Sequence, residues 1–404
     1  MKILYLHQYF NRPIDPGSTR SYEMARRLVA KGHEVVMITS DHRRRFSHKG
    51  WHVTYETGIE VHWLSVPYSN RFSYPARMWA FFKFALGAAW HAARIPADIV
   101  FATSTPLTIV IPGVFAAKRH RVPMVFEVRD LWPELPIAMG ALKGPLIPLA
   151  QWLADLAYRN AARVVALSPD MAAGVQKRGY PAERISVIPN ASDLDLFRHA
   201  DKMGTTFRQK HPWLRDRPLV VYTGTLGRIN GVDYLVRLAA QMLRKDPEVR
   251  FLVVGEGHEE EKVRQLAQQM GVWQTNFYMM PPVPKRQMPM ILGAATIATS
   301  LFINLPEMWA NSANKFFDAL AAGTPLAINY QGWQAEILTR TGAGIVLPPQ
   351  DISSSADLLL SFIRDQTRLK AARQAAKSLA ESEFNRDLLA ARLEQVLLTA
   401  VNER

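Results

Sequence analysis

The stretch Tyr222–Gly231, YTGTLGRING, leaves a short apolar run and turns at once into glycines and a single arginine. Glycine adopts backbone conformations closed to other residues, so Gly224, Gly227 and Gly231 permit a tight turn and close approach of the main chain to a ligand. A helix starting near Val232 offers free N–H groups and the positive end of its dipole to an anion. Arg228 can grip a phosphate through two parallel hydrogen bonds. The same residues also fit a plain strand-to-helix turn with a surface arginine, and the loop alone does not separate the two readings.

The rest of the second half repeats this strand-then-helix plan. PLVVYTG, VRFLVVGEG, NFYMM, ATIATS, PLAIN and GIVLP are short and apolar, with the helical patterns VDYLVRLAAQMLRK and EEEKVRQLAQQMG between them. The first half does the same with KILYLHQYF, HEVVMITS, ADIVFATS, VPMVFEVRD, ARVVALS and ISVIPN, and Ser168-Pro169-Asp170 marks a helix start. Short apolar strands alternating with helices predict an α/β fold with parallel sheets covered on both faces. Two doubly wound, Rossmann-like domains are expected, facing a central cleft, with ligands at the carboxyl ends of the strands. Between them DLFRHADKMGTTFRQKHPWLRDRP reads as a polar, basic linker region without periodicity. The domains are placed at 1–198 and 199–384.

The 404 residues suit two domains, and 48% hydrophobic with 21% charged residues is the composition of a folded chain. Cysteine is absent, which permits a reducing compartment. The apolar run in MKILYLHQYF is too brief for a signal peptide, so a cytoplasmic location is expected. The net charge of +14 attracts phosphates. No zinc spacing, RNA-recognition signature or recognition helix points to nucleic acid.

Further residues carry candidate chemistry. In SANKFFDALAAGTPLAIN, Lys315 and Asp318 share a helix face, as a cation for phosphate and a carboxylate for sugar hydroxyls, or as a surface salt bridge. Glu127, Arg129 and Asp130 end a strand, as site residues or as a structural Arg–Asp pair. Gly17, Ser18 and Arg20 open the first helix and suit an anion.

FEVRDLWPE, IPNASDLDLF, YTGTLGRINGVDYL, FLVVGEG and KFFDALAAGTP, with the Gly17 loop before them, occur in the order found in the retaining, family 4 glycosyltransferases of the GT-B fold, which the chain resembles over nearly its whole length. EVRDLWPE is similar to the branch that builds bacterial cell-surface polysaccharides, often with amino- or deoxy-sugars. The resemblance implies that Arg228, Gly224 and Gly227 hold the donor diphosphate and that Gly255 and Val283 border the base. Asp318 stands where the family has a ribose-binding glutamate. The partner glutamate's place is Ala310, with Asn311 or backbone amides as substitutes. Asn230 takes the place of the family's lysine, and Lys315 is expected to supply the second cation. Asp130, with Arg129 and Glu127, is assigned to catalysis; Gly17, Ser18 and Arg20 to the acceptor's diphosphate. Neither cofactor nor metal is implied: the leaving diphosphate is stabilised by cations and takes the acceptor's proton itself. Asp193-Leu194-Asp195 spells the metal-binding DxD motif of another glycosyltransferase fold but lies inside IPNASDLDLF. The final amphipathic segment, about 385–404, is expected to cross back to the first domain.

From Val61 to Ala97 there is no Asp or Glu, while Arg71, Arg77, Lys83 and Arg94 are present. Within MWAFFKFALGAAWHAAR, Met78, Phe81, Phe82, Ala85, Ala89 and Ala92 line a core face. Trp79, Lys83, Leu86, Trp90 and Arg94 line a second, suited either to an anionic membrane interface or to packing with snorkelling cations. The partners expected are thus a nucleotide-sugar donor, with a UDP-sugar the first choice, a polyprenyl-diphosphate-linked saccharide, and the inner face of a membrane. A nucleotide-sugar epimerase of the same fold and a non-catalytic nucleotide- or lipid-binding protein are the competing readings.

Overall fold

The computed structural model describes every residue except Pro16, Arg44, Ser47, His48, Ser69, Asn70, Arg71, Ser192 and Arg404. Arg71, one of the cations noted above, therefore lies outside the described residues. The chain divides into two compact units: Met1–Arg12, Gly17–Pro189 and Asp387–Arg404 form the first, Pro13–Pro16 and Asn190–Arg386 the second. The division falls after Pro189, earlier than the expected residue 198. Asn190 is tied into the second unit, its backbone N–H donating to Ser312 Oγ (3.0 Å) and its side-chain amide to the Ser312 carbonyl (2.6 Å).

In the first unit the strands are β1 (Lys2–Leu6), β2 (Glu34–Ser40), β3 (Trp51–Glu56), β4 (Ile59–Leu64), β5 (Ile99–Thr103), β6 (Met124–Val128), β7 (Arg163–Ala166) and β8 (Ile185–Val187). They form one sheet in the order β3-β4-β2-β1-β5-β6-β7-β8. Its helices are α1 (Arg20–Ala30), α2 (Tyr74–Ala92), α3 (Val110–His120), α4 (Glu134–Ala138), α5 (Leu146–Asn160) and α6 (Pro169–Lys177). The central strands are buried almost throughout, with Glu127 of β6 a charged exception, because helices cover both faces. Ser168 caps α6, its Oγ accepting from the Met171 N–H at 3.0 Å. One departure from an all-parallel sheet is the antiparallel hairpin β3–β4 at its edge. Thr57 and Gly58, at φ of 53° and 81°, make the two-residue turn, whose left-handed backbone matches the twist of the strands.

The second unit begins with α7 (Leu194–Phe197) and α8 (Ala200–Lys210). It continues with β9 (Leu219–Thr223), α9 (Asp233–Lys245), β10 (Arg250–Val254), α10 (Glu260–Gln269), β11 (Phe277–Met280), α11 (Met288–Ala294) and β12 (Ile297–Ser300). It closes with α12 (Asn314–Ala321), β13 (Leu326–Ile328), α13 (Trp333–Thr341), β14 (Gly344–Val346), α14 (Ile352–Arg364) and α15 (Gln366–Ser382). The sheet is parallel in the order β11-β10-β9-β12-β13-β14. The stretch read as an unpatterned linker is thus largely helix. α8 buries only Ala200, Gly204 and Phe207, and it presses on α11 so closely that a Cβ on Gly204 would meet the Gly293 carbonyl carbon at 2.1 Å. The last helix, α16 (Arg386–Asn402), starts at the division and lies in the first unit. Asp387 pairs with Arg27, Glu394 with Lys31 and His33, and Leu389, Leu393 and Leu397 are fully buried.

Candidate functional site

Each sheet reverses its strand order once, between β1 and β5 in the first unit and between β9 and β12 in the second. Loops leaving adjacent strands in opposite directions open a crevice at that point, where ligands of doubly wound sheets bind. The polar residues gather at these two places.

In the second unit the loop after β9 lies flat on its neighbour. The Gly224 N–H donates to the Val254 carbonyl (3.0 Å), and a Cβ on Gly255 would stand 1.8 Å from the Gly224 carbonyl oxygen. Only glycine fits there. Gly227 precedes a single 3-10 turn, Arg228–Asn230, and Asn230 is buried with its Oδ1 accepting from the Gly227 N–H at 3.3 Å. Where the family places a lysine, this chain has a residue that braces the glycine turn. Arg228 is exposed and forms no ion pair among the described residues.

Lys315, near the start of α12, comes to the same loop. A Cβ on Gly224 would lie 3.3 Å from its Cε, and its Nζ donates to Tyr222 Oη at 2.9 Å. The ammonium sits over the rings of Tyr222 (4.3 Å) and Phe302 (5.4 Å), an aromatic seat that stabilises a cation without neutralising it. No carboxylate pairs with it among the described residues, and burial pushes its pKa down to about 7. Lys315 does not form the surface salt bridge with Asp318 that the helical spacing allows.

Asp318 pairs instead with Lys285, which opens the turn after Val283 and Pro284 and lies 5.7 Å over the Phe197 ring. Asp318 Oδ2 accepts from Lys285; its Oδ1 is buried without a hydrogen-bond partner among the described residues. A buried carboxylate oxygen left open is costly unless a ligand donor fills it. Val283 packs against the apolar cluster of β9, β10 and α11. Asn311 is occupied locally, donating to the Met308 carbonyl (2.8 Å) and accepting from the Ala313 N–H (3.1 Å), so its amide does not replace the glutamate missing at the buried Ala310.

In the first unit His7 follows β1, Thr103 ends β5 with Ser104 and Thr105 after it, and Arg129 and Asp130 follow β6. Arg129 donates to His7 Nε2 (3.1 Å) and Ser18 Oγ (3.2 Å), and its backbone N–H to Ser104 Oγ (3.0 Å). His7 is buried, and burial followed by the charge of Arg129 holds its pKa well below the usual value. A neutral His7 accepting from Arg129 at Nε2 presents Nδ1–H to Ser21 Oγ, 2.8 Å away. Asp130 is half-buried and accepts from Thr105 Oγ1 at 2.8 Å, so Arg129 and Asp130 have separate partners. Gly17 holds a φ of 113° at the entry to α1, where a side chain would be strained.

Two family models match the chain, the glycosyl transferase 4-like domain over residues 17–191 and glycosyl transferases group 1 over residues 204–379. The chain belongs to the family 4 glycosyltransferases. Its fold is GT-B. Among curated relatives of this glycosyltransferase, a D-inositol 3-phosphate glycosyltransferase of Nocardia farcinica is 24% identical, with 64% of this chain matched to 57% of that one. WcaI of Escherichia coli K12, named for colanic acid biosynthesis, is 23% identical, with 63% matched to 66%. The match thus spans about three-fifths of these relatives' length. Among solved structures, Anabaena HepE in complex with UDP and glucose aligns over 99% of this chain and 100% of its own, with a TM-score of 0.74 at 17% identity. WaaG, involved in lipopolysaccharide biosynthesis, aligns over 98% and 99%, with a TM-score of 0.70 at 17% identity.

Within this glycosyltransferase two assignments change. Arg20 and Glu127 are fully enclosed, Arg20 donating to Glu127 Oε1 through Nε (3.1 Å) and Nη2 (2.8 Å) and to the Pro189 carbonyl through Nη1 (2.6 Å). Thr103 Oγ1 holds the other Glu127 oxygen at 2.5 Å. Burial would raise the Glu127 pKa, but Arg20 and Arg129 bring it below the usual value. Arg20 is therefore a structural ion-pair member and not an acceptor ligand, and Glu127 a structural carboxylate and not a catalytic one. The DxD aspartates are also engaged, Asp193 with Arg386 (3.4 Å) and Asp195 with Arg198. His7 and Lys285 were missed. His7 was visible as a polar break after the first strand, whereas Lys285 approaches Asp318 across 33 residues with no local signal.

On α2 the two faces separate as their spacing requires. Phe81, Ala85, Ala89 and Ala92 are buried, while Trp79, Leu86 and Trp90 are 70%, 64% and 63% exposed, with Lys83 and Arg94 exposed among them. The Arg94 guanidinium lies 4.6 Å over the Trp90 ring. Among the described residues no helix is long and apolar enough to cross a membrane.

Proposed function

We propose that this chain transfers a sugar, with retained anomeric configuration, from a UDP-sugar to a lipid-linked saccharide in the assembly of a surface polysaccharide. One observation carries the reading: Lys315 has no carboxylate partner among the described residues and is seated against the Gly224 loop that also bears Arg228. A leaving diphosphate supplies the missing negative charge, and two cations placed beforehand stabilise it as the glycosidic bond breaks. These side chains make a resident metal unnecessary to the proposal, and the departing phosphate accepts the proton of the acceptor hydroxyl. Gly255 and Val283 border the base, and the open Asp318 oxygen suits a ribose hydroxyl. HepE, solved with UDP, supports uracil as the first base to test. WcaI and WaaG, named for colanic acid and lipopolysaccharide biosynthesis, support a surface polysaccharide as the setting.

In the first unit, Asp130 contacts the transferred sugar or the acceptor hydroxyl, and Arg129, Gly17 and Ser18 take the acceptor's phosphate. The exposed tryptophans and cations of α2 favour peripheral association with the inner face of an anionic membrane, where indole rings sit among headgroups. Calorimetry with UDP, GDP, ADP and TDP tests the donor. One nucleotide binding well, weakened by both Arg228→Ala and Lys315→Met, is the expected result; no binding to any of the four would overturn the reading. Activity persisting in EDTA is expected of a site that works through Arg228 and Lys315.

A further inference from the structure

The two sheets end in four edge strands, β3 and β8 in the first unit and β11 and β14 in the second. An open edge is a template for another strand, and proteins blunt it by shortness, by lysine or proline, by a bulge or by cover. β8 and β14 are three residues long and β11 four, and none of their residues is exposed. β3 is different. It runs for six residues, WHVTYE, without lysine or proline, and its register to β4 is unbroken from Trp51↔Leu64 to Glu56↔Ile59. Val53 and Tyr55 on it are 49% and 74% exposed.

The pairing with β4 fixes which backbone groups are left over. The Ser65 N–H donates to the Gly50 carbonyl at 3.0 Å, so Gly50 and, at every second residue, His52, Thr54 and Glu56 turn their backbone groups to β4. Those of Trp51, Val53 and Tyr55 point away from the sheet, with no partner among the described residues. The side chains of these three share the face on which α2 lies: His91 of α2 stacks on Trp51 at 3.8 Å and bonds to His62, the residue opposite Val53. The strand also carries opposite charge at its two ends. Exposed Lys49 precedes it, while at the far end Glu56 and Glu60 outweigh Arg12, which pairs with Glu56 at 3.3 Å.

We infer that β3 is a self-pairing edge, which joins two copies of this chain antiparallel about Val53. Val53 then faces Val53 of the second copy and Trp51 faces its Tyr55, each pair exchanging both backbone hydrogen bonds and the aromatic pair packing across the strands. Antiparallel pairing sets Lys49 of each copy near the Glu56 end of the other, whereas parallel pairing would set like charges together. A surface that fits itself in this way closes as a two-fold dimer. The axis stands perpendicular to the sheet, so α2 lies on the same side in both copies, and the exposed Trp79, Leu86 and Trp90 of two chains face one plane. One strand edge buries less than the about 1,200 Å² of a standard interface, so the dimer forms at micromolar concentration.

Sedimentation velocity on the full chain, from low to high micromolar concentration, is expected to show a monomer–dimer equilibrium. Val53→Pro removes the N–H at the centre of the pair, where the isolated chain tolerates proline because that N–H faces solvent. Val53→Lys sets two like charges across the axis. Each is expected to weaken the dimer at least about tenfold, with the urea unfolding midpoint as a check on folding. Lys49→Glu, outside the strand, should weaken it less, and by more at low salt than at high. The chain has no cysteine, so Val53→Cys supplies one thiol per copy at the axis. Oxidation with copper phenanthroline is expected to link two such copies, whereas the thiols of Tyr55→Cys lie far apart along the paired strands and should not join. A monomer at every concentration overturns the inference, as does a dimer that survives both the proline and the lysine substitution. Cross-linking of Tyr55→Cys as fast as Val53→Cys overturns it too, because that demands another pairing.

Discussion

Arg20 is a fully buried cation and Lys315 a partly buried one, and they differ in what surrounds them. Arg20 meets a carboxylate and two backbone carbonyls, so every direction of its guanidinium is answered within the first unit. Lys315 meets one phenol and two aromatic faces and, among the described residues, no carboxylate. A satisfied buried charge holds architecture, whereas a half-buried charge with no carboxylate beside it among the described residues is arranged for a ligand. Sequence position alone suggested that both bind phosphate; their partners separate them.

The strongest way to break the comparison is Arg20→Met. It leaves Glu127 buried and unpaired and is expected to cost about 3–5 kcal/mol of stability in urea unfolding. A cost near zero would remove Arg20 from the structural role. Lys315→Met should do the reverse, leaving the unfolding midpoint unchanged or raised while weakening UDP binding about 10- to 100-fold, as for a lost hydrogen bond to a charged group.

The pH dependence sharpens the same contrast. Lys315 has a folded pKa near 7, below its usual 10.5, so between those values the unfolded chain binds more protons and stability rises with pH. A bound diphosphate favours the protonated lysine, so UDP affinity should fall as pH rises from 7 to 9 and flatten in Lys315→Met. Glu127, whose folded pKa is depressed, contributes stability that is lost as pH falls through its folded value.

A smaller effect is expected at Lys285. Lys285→Met frees both Asp318 oxygens and should weaken UDP binding a few-fold while altering discrimination against 2′-deoxy-UDP; equal discrimination in both proteins would detach Lys285 from the ribose. Smallest of all is Asp195→Asn. It breaks an exposed pair with Arg198 and should leave the unfolding midpoint and activity in EDTA unchanged.

Much of the fold was legible because buried parallel strands are short apolar runs and the helices between them repeat at their own period. The β3–β4 hairpin escaped because WHVTYE alternates along a half-exposed edge strand and supplies no apolar run. α8 escaped because a glycine, Gly204, occupies the middle of its buried face, where periodicity looks for a large apolar side chain. At the site, the glycine loop and Lys315 were readable from local motifs. The partners that decide roles were not: Glu127 lies 107 residues from Arg20, and Lys285 approaches Asp318 through the fold alone.

The placement of α16 has a consequence for how the protein is made. The first unit is finished by residues 387–402, after the whole of the second unit has been synthesised. At ordinary ribosomal rates that is a delay of roughly 10–40 s between the emergence of β8 and that of α16. Throughout it the nascent first unit lacks the helix that buries Leu389, Leu393 and Leu397 against it. The second unit can reach its final form while the first is still waiting, so a stalled ribosome or a chaperone would meet an unfinished amino-terminal half beside a finished successor.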